Sequence, residues 1–119
     1  MIDAKLGEVE SRFADIIWNN EPLSSRHLAE LAEKELSWKR TTTYTILKRL
    51  CDRGLFRNEG GTVTSLVSRE EFFALQSEKF VEETFDGSLP AFLAAFSRRK
   101  KLSNSEIEEL QDLIEKMRG

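Results

Sequence analysis

Cysteine, histidine and proline are nearly absent from this chain, with one, one and two residues among 119. A lone Cys51 forms no internal disulfide and supports no multi-cysteine metal site. The single His27, early in a helical segment, has a surface place as its ordinary role and leaves no histidine pair for acid–base or metal chemistry. Carboxylates are numerous but scattered. Glu82-Glu83 and Glu108-Glu109 are sequence neighbours, so the members of each pair diverge by about 100° around a helix. An enzyme is not expected, nor a cofactor or a metal. Long apolar runs are missing too, and none reaches the roughly 18 residues that a membrane span requires. The N-terminal stretch MIDAKLGEVESRF has no basic segment leading into an apolar core, so no signal peptide is read there. The expectation is a cytoplasmic protein without direct membrane binding. No internal repeat or low-complexity tract is evident.

An overall excess of positive charge is also lacking. The net charge of −3 argues weakly against a nucleic-acid partner, but the average hides an asymmetry. Between Ser37 and Arg57 there are six bases (Lys39, Arg40, Lys48, Arg49, Arg53, Arg57) against one acid, Asp52. From Glu70 onward, eleven acids outnumber seven bases. Nucleic-acid binding depends on a local basic face rather than on the global sum.

Hydrophobic spacing predicts helices over residues 6–19 (Leu6, Val9, Phe13, Ile16, Ile17), 25–36 (Leu28, Leu31, Ala32, Leu36) and 40–53 (Thr43, Ile46, Leu47, Leu50). Pro22 breaks the first, Ser24 is positioned to cap the second, and Gly54 is the expected left-handed residue after the third. Two short β-prone runs around Glu59-Gly60-Gly61 read as a hairpin. In its second run Val63 and Val67 share a face with Ser65, and Leu66 faces the other way. Further helices are expected over 70–85, over 89–98 behind a Ser88 cap, and after Ser103, which forms a capping-box pattern with Glu106. The last carries Ile107, Leu110, Leu113, Ile114 and Met117 on one stripe.

Helix, helix, short turn, helix and Gly-turned hairpin is the order of a winged helix-turn-helix, whose third helix enters the DNA major groove. The stretch WKRTTTYTILKRL fits that role. Threonine is a mediocre helix former, yet three stand in a row here. Thr43 leans inward. The opposite face carries Thr41, Thr45, Lys48 and Asp52, flanked by Thr42, Tyr44 and Arg49, so Thr41, Thr42 and Thr45 are left for solvent or a partner. Short hydroxyl side chains allow close approach to phosphates and base edges, and the Thr methyl can meet a thymine methyl. Lys39 and Arg40 stand at the helix start, where free backbone N–H groups also favour phosphate. The rival reading is a winged-helix protein-interaction module without sequence-specific DNA binding. A thiol switch at Cys51 is a further alternative, weighed against an inert half-buried thiol.

The expected fold class is mainly α with a small β-hairpin: a winged-helix domain over residues 1–69 and a helical dimerisation region over 70–119. Six of the eight phenylalanines (Phe72, Phe73, Phe80, Phe85, Phe92, Phe96) lie in the latter. Three short helices cannot close a core over so many aromatics without exposing a large patch, and such patches mark association surfaces. A two-fold homodimer is the commonest solution. Leu110 and Ile114 of the last stripe are counted into that interface.

The segments ADIIWNNEPLSSRHLAELAE, WKRTTTYTILKRLCDRGLF and FVEETFDGSLPAFLAAF, taken in register, resemble the penicillinase repressor (BlaI/MecI/CopY) family over essentially the whole length. The resemblance implies a homodimer that binds dyad operators on double-stranded DNA and represses genes for β-lactam resistance or metal handling. It implies that Thr42, Thr45 and Arg49 meet DNA, with Arg57 and the Gly60-Gly61 turn in the wing. It further implies inactivation by a membrane sensor protease system, with cleavage beside a phenylalanine, at Ala95-Phe96 here. The chain departs from the family in lacking the paired C-terminal cysteines of its copper-responsive branch. It also has Ala95 where the best-known members have Asn, and it reads TVTSLVS in place of an aromatic-rich second wing strand.

Overall fold

The first apolar stripe folds as helix α1, Glu8–Asn20, in a computed structural model that describes residues 6–119. Phe13, Ala14, Ile16 and Ile17 are buried at helical spacing. Val9, expected on the same face, is about half exposed, because α1 starts one turn before the core begins. A two-residue strand β1, Leu23–Ser24, follows. Helix α2, Ser25–Leu36, is capped by Ser24, whose Oγ accepts the His27 N–H at 2.9 Å. Helix α3, Arg40–Asp52, ends as the sequence predicts. Gly54 takes φ +82°, its N–H donates to Cys51 O, and the Leu55 N–H donates to Leu50 O. That pair of bonds is a Schellman closure, which turns the chain sharply into the wing.

Strands β2, Phe56–Glu59, and β3, Thr62–Ser65, pair antiparallel across Gly60 and Gly61. Both glycines have positive φ, +59° and +85°, as a two-residue hairpin turn of the primed type demands. Strand β1 adds to the free edge of β3, giving the order β1-β3-β2. The expected hairpin is therefore a three-stranded sheet, and β1 is too short to leave a periodic trace in the sequence. Val63 and Val67 are buried and Leu66 is half exposed, as their alternation predicts.

One core joins α1, α2, α3 and the sheet. Trp18 lies at its edge. Its indole N–H donates to Val67 O at 3.0 Å, and its ring packs on Phe56 and Phe72 at centroid distances of 5.5 and 5.6 Å. Trp38, between α2 and α3, packs on Phe13 at 5.0 Å and so fixes the turn that aims α3. Phe72 comes from helix α4, Arg69–Phe85, and is 1% exposed. It was expected in an association surface, but it belongs to this core, because the first turns of α4 pack against the winged helix. The first compact unit accordingly runs past residue 69, to Lys79.

The second unit, Phe80–Gly119, contains the end of α4, then α5, Leu89–Arg99, and α6, Asn104–Met117. Gly87 at φ +79° breaks the chain, and Ser88 caps α5 through the Ala91 N–H. Ser103 and Glu106 exchange both bonds of a capping box at 3.1 Å. The Ser103 backbone N–H, followed by the Ser103 hydroxyl, holds the Glu106 carboxyl below its ordinary pKa. Four phenylalanines form a ring cluster, with Phe85 and Phe92 edge-to-face at 5.6 Å and Phe80 and Phe92 at 6.0 Å. No side chain of this unit is buried.

Truncating Phe72 to Ala should cost about 3–5 kcal/mol in urea unfolding, whereas Leu66→Ala on the exposed side should change stability by no more than about 0.5 kcal/mol. A small loss at Phe72, comparable to that at Leu66, would remove α4 from the core.

Candidate nucleic-acid interface

The inner face of α3 is set by Thr43, Leu47 and Leu50, all essentially inaccessible. Thr43 Oγ1 turns back to Lys39 O at 3.4 Å, which lets a polar side chain lie in the core without an orphaned hydroxyl. With that face anchored, helical geometry carries Thr41, Thr42, Tyr44, Thr45, Lys48 and Arg49 to the outside, and each is exposed. The structure thus brings together the predicted reading residues of α3, with Lys39 and Arg40 at its exposed start. Tyr44, on the flank of that face as its spacing predicts, is 39% exposed.

The hydroxyls are not equivalent. Thr45 Oγ1 donates to Thr41 O at 2.9 Å, so its methyl is the group left to point outward. Among the described residues, Thr41 and Thr42 have no side-chain partner, and their hydroxyls are free to bond a ligand.

The cations divide in the same way. Arg53 pairs with Glu10 of α1 at 3.6 Å, and both side chains are largely shielded. It fastens α3 to α1 instead of extending the basic face. Lys48 reaches Asp52 at 3.4 Å and Arg57 reaches Glu59 at 3.6 Å, both well exposed, so these pairs hold their partners weakly. Lys39, Arg40 and Arg49 have no ion-pair partner among the described residues. Helix α3 also begins unusually. Its first turn has neither a capping side chain nor an acidic residue, whereas each of the other five helices has at least one of these. Among the described residues, no side chain of this first turn compensates the positive end of its dipole.

The wing stands beside this face with Arg57 and the Gly60 turn exposed on it. Its base is held by Glu21, whose Oε1 accepts both the backbone N–H and the hydroxyl of Ser65 at 2.8 Å. Nothing in the sequence pattern announced that latch, because its partners lie 44 residues apart.

The remaining candidates fall outside this surface. Cys51 is half-buried on the flank of α3, and burial, followed by the Asp52 charge, pushes its thiol pKa up. A raised pKa keeps the sulfur as neutral thiol at pH 7 and opposes a thiolate switch. His27 is exposed beside Glu30 at 3.6 Å. No group of three or more metal-ligating side chains occurs among the described residues, and no helix there is long and apolar enough to cross a membrane. Of the expected interface residues, Phe73, Phe80, Phe96 and Ile114 are between 44% and 52% exposed, while Phe85, Phe92 and Leu110 are partly covered. Leu89, at the start of α5, is likewise 54% exposed. Ala95 is exposed on α5.

Comparison with known proteins agrees with this geometry. The chain is 25% identical over 116 residues to the methicillin resistance regulatory protein MecI of Staphylococcus aureus (strain Mu50 / ATCC 700699), covering 94% of each chain. It is 24% identical over 115 residues to the penicillinase repressor of Bacillus licheniformis, covering 93% of this chain and 90% of that one. The family model described as penicillinase repressor matches residues 6–116, nearly the whole length. The chain belongs to the penicillinase repressor family, a family of transcriptional repressors and not of enzymes.

Proposed function

We propose that this protein is a transcriptional repressor that binds a dyad DNA operator as a homodimer. The observation that carries the reading is the outer face of α3: hydroxyls, with cations of which Lys39, Arg40 and Arg49 have no ion-pair partner among the described residues, set by the buried Thr43, Leu47 and Leu50. That surface suits a major groove, with phosphates met by Lys39, Arg40 and the open helix start, and bases met by Thr42, Thr45 and Arg49. Arg57 extends the contact from the wing. A protein-interaction module has no comparable use for an uncapped, acid-free helix start beside Lys39 and Arg40.

The pairing rests on the second unit. A unit of 40 residues with no buried side chain is at the size where oligomerisation is usually needed for stability. Its exposed Phe80, Leu89, Phe96, Leu113, Ile114 and Met117 form the kind of surface that association covers. Two-fold pairing would present two α3 helices about one or more helical turns of DNA apart.

The names of the relatives support β-lactam resistance or related genes as the targets. The family resemblance noted in the sequence adds, as part of this proposal, inactivation by a sensor protease acting at Ala95-Phe96. That bond is exposed but lies inside α5, where Phe96 O accepts the Lys100 N–H, so cutting requires the last turns of α5 to unwind.

Gel-shift titration over a series of salt concentrations tests the DNA reading. Affinity for a selected dyad should fall by orders of magnitude over a few-fold rise in salt, and a flat response would remove it. Within that assay, Thr42→Ala and Thr45→Ala should weaken dyad binding by roughly 1–3 kcal/mol more than binding to random duplex. Thr45→Val should be milder than Thr45→Ser, because the outward methyl is retained. Equal losses on both DNAs would assign these threonines to the backbone instead. Lys39→Ala should weaken all DNA alike and reduce the salt slope by about 1; an unaltered slope would deny it a phosphate. Phe80→Asp should give monomers in sedimentation and poor dyad binding, and a variant that stays dimeric would move the interface elsewhere.

A further inference from the structure

The residues before β1 explain why that strand is so short. Its ladder with β3 pairs Leu23 with Val63 and Ser24 with Thr62, and the Ser25 N–H donates to Gly61 O at 2.8 Å in the same register. Continued toward α1, that register sets Pro22 opposite Thr64 and Glu21 opposite Ser65. Proline has no N–H to give to a ladder, and Glu21 is the C-cap of α1. The Ser65 N–H is therefore left on the edge of β3 beyond the end of β1. The Glu21 side chain takes the place of the missing strand. Its Oε1 accepts that N–H and the Ser65 hydroxyl, each at 2.8 Å, and its Oε2 lies 2.8 Å from the same hydroxyl. A carboxylate is a stronger acceptor for a backbone N–H than a neutral carbonyl. Glu21 and Ser65 are both half-buried, so loss of the carboxylate leaves a donor short of a partner where water reaches only in part.

The consequence reaches the cation of the wing. Strand β2 is the outer strand of the sheet, with β3 as its strand neighbour. The Gly54 turn and the buried Phe56 fix where β2 starts, and beyond Phe56 its exposed residues are held in line by β3. Arg57 stands opposite Thr64, beside the residue that Glu21 holds. We propose that Glu21 is a positioning residue for DNA binding: its carboxylate, standing in for the strand that Pro22 cuts off, keeps β3 in place and, through the pairing of Arg57 with Thr64, sets Arg57 where the wing meets a phosphate. This inference rests on the DNA-binding reading above and lies wholly within the unit Met1–Lys79. Charge alone predicts the opposite effect, because removing a carboxylate from a DNA-binding domain should strengthen its hold on a polyanion.

The test is a set of salt titrations of the full chain on a duplex carrying one selected half-site and on random duplex. Arg57→Ala should reduce the salt slope by about 1 on both DNAs. Glu21→Ala should reduce it equally and lose about five- to tenfold in affinity at roughly 0.1 M salt, the worth of one phosphate contact. Since both changes remove the same contact, the double variant should be no more than about twofold weaker than Arg57→Ala. Glu21→Gln loses the same charge but keeps an acceptor oxygen, and it should bind at least as tightly as the parent. Hydrogen exchange checks the fold, with faster exchange at the Ser65 amide of Glu21→Ala and none of the change reaching α3. Glu21→Ala binding as tightly as the parent would overturn the proposal, as would Glu21→Gln as weak as Glu21→Ala, or losses that add in the double variant. Should Glu21→Ala fail to fold, Ser65→Ala decides: a partial loss with a reduced slope supports the proposal, and parental binding overturns it. Parent binding that ignores salt would defeat the DNA reading and this inference together, whereas salt-dependent parent binding with an unaffected Glu21→Ala defeats this inference alone.

Discussion

Residues 80–119 form three helical segments that bury no side chain of their own. That deficit is the constraint on which the rest depends. Conformational entropy opposes ordering each of those residues by about 1–2 kcal/mol for the backbone alone. Capping bonds at Ser88 and Ser103 and a handful of ring contacts are too few to offset it. Apolar burial must come from outside the unit. In the proposed homodimer a second copy brings the same surface with the same needs, and two-fold association would satisfy both at once. Under that proposal, pairing is also what would let a single small reading unit address DNA twice.

The reading unit solves the opposite problem. It has to keep a polar helix face rigid and outward while burying enough to fold. Thr43 is the economical compromise, a threonine whose hydroxyl is satisfied by Lys39 O and whose methyl enters the core. Leu47 and Leu50 complete the anchor, the Arg53–Glu10 pair fastens the far end of α3 to α1, and the Schellman turn at Gly54 launches the wing. Glu21 holds the wing base through Ser65. The exposed hydroxyls of Thr41 and Thr42 are available because the burial of their neighbour fixes which way they face.

Much of this was legible from residue order. The three N-terminal helices, both serine caps read for α2 and α5, the Gly54 stop, the Gly60-Gly61 turn and the division of the threonines follow from local spacing and turn chemistry. What escaped was set by distant partners or by very short elements. Strand β1 is two residues long and exists because β3 has a free edge. Phe72 looked like its aromatic neighbours, and only the position of Trp18 decides that it is core. Val9 kept the helical period but fell one turn outside the packed region. Arg53 counted toward a basic segment, yet Glu10, 43 positions earlier, claims it. The net basic face is accordingly smaller and more focused on Lys39, Arg40 and Arg49 than composition suggested.

The most direct check on the central claim is the melting temperature of the intact protein as a function of its own concentration. If the second unit is stable only when paired, unfolding is coupled to dissociation, and a hundredfold rise in concentration should raise the midpoint by about 5 °C. A midpoint that stays constant across that range, in a protein that sediments as a single chain throughout, would contradict the account.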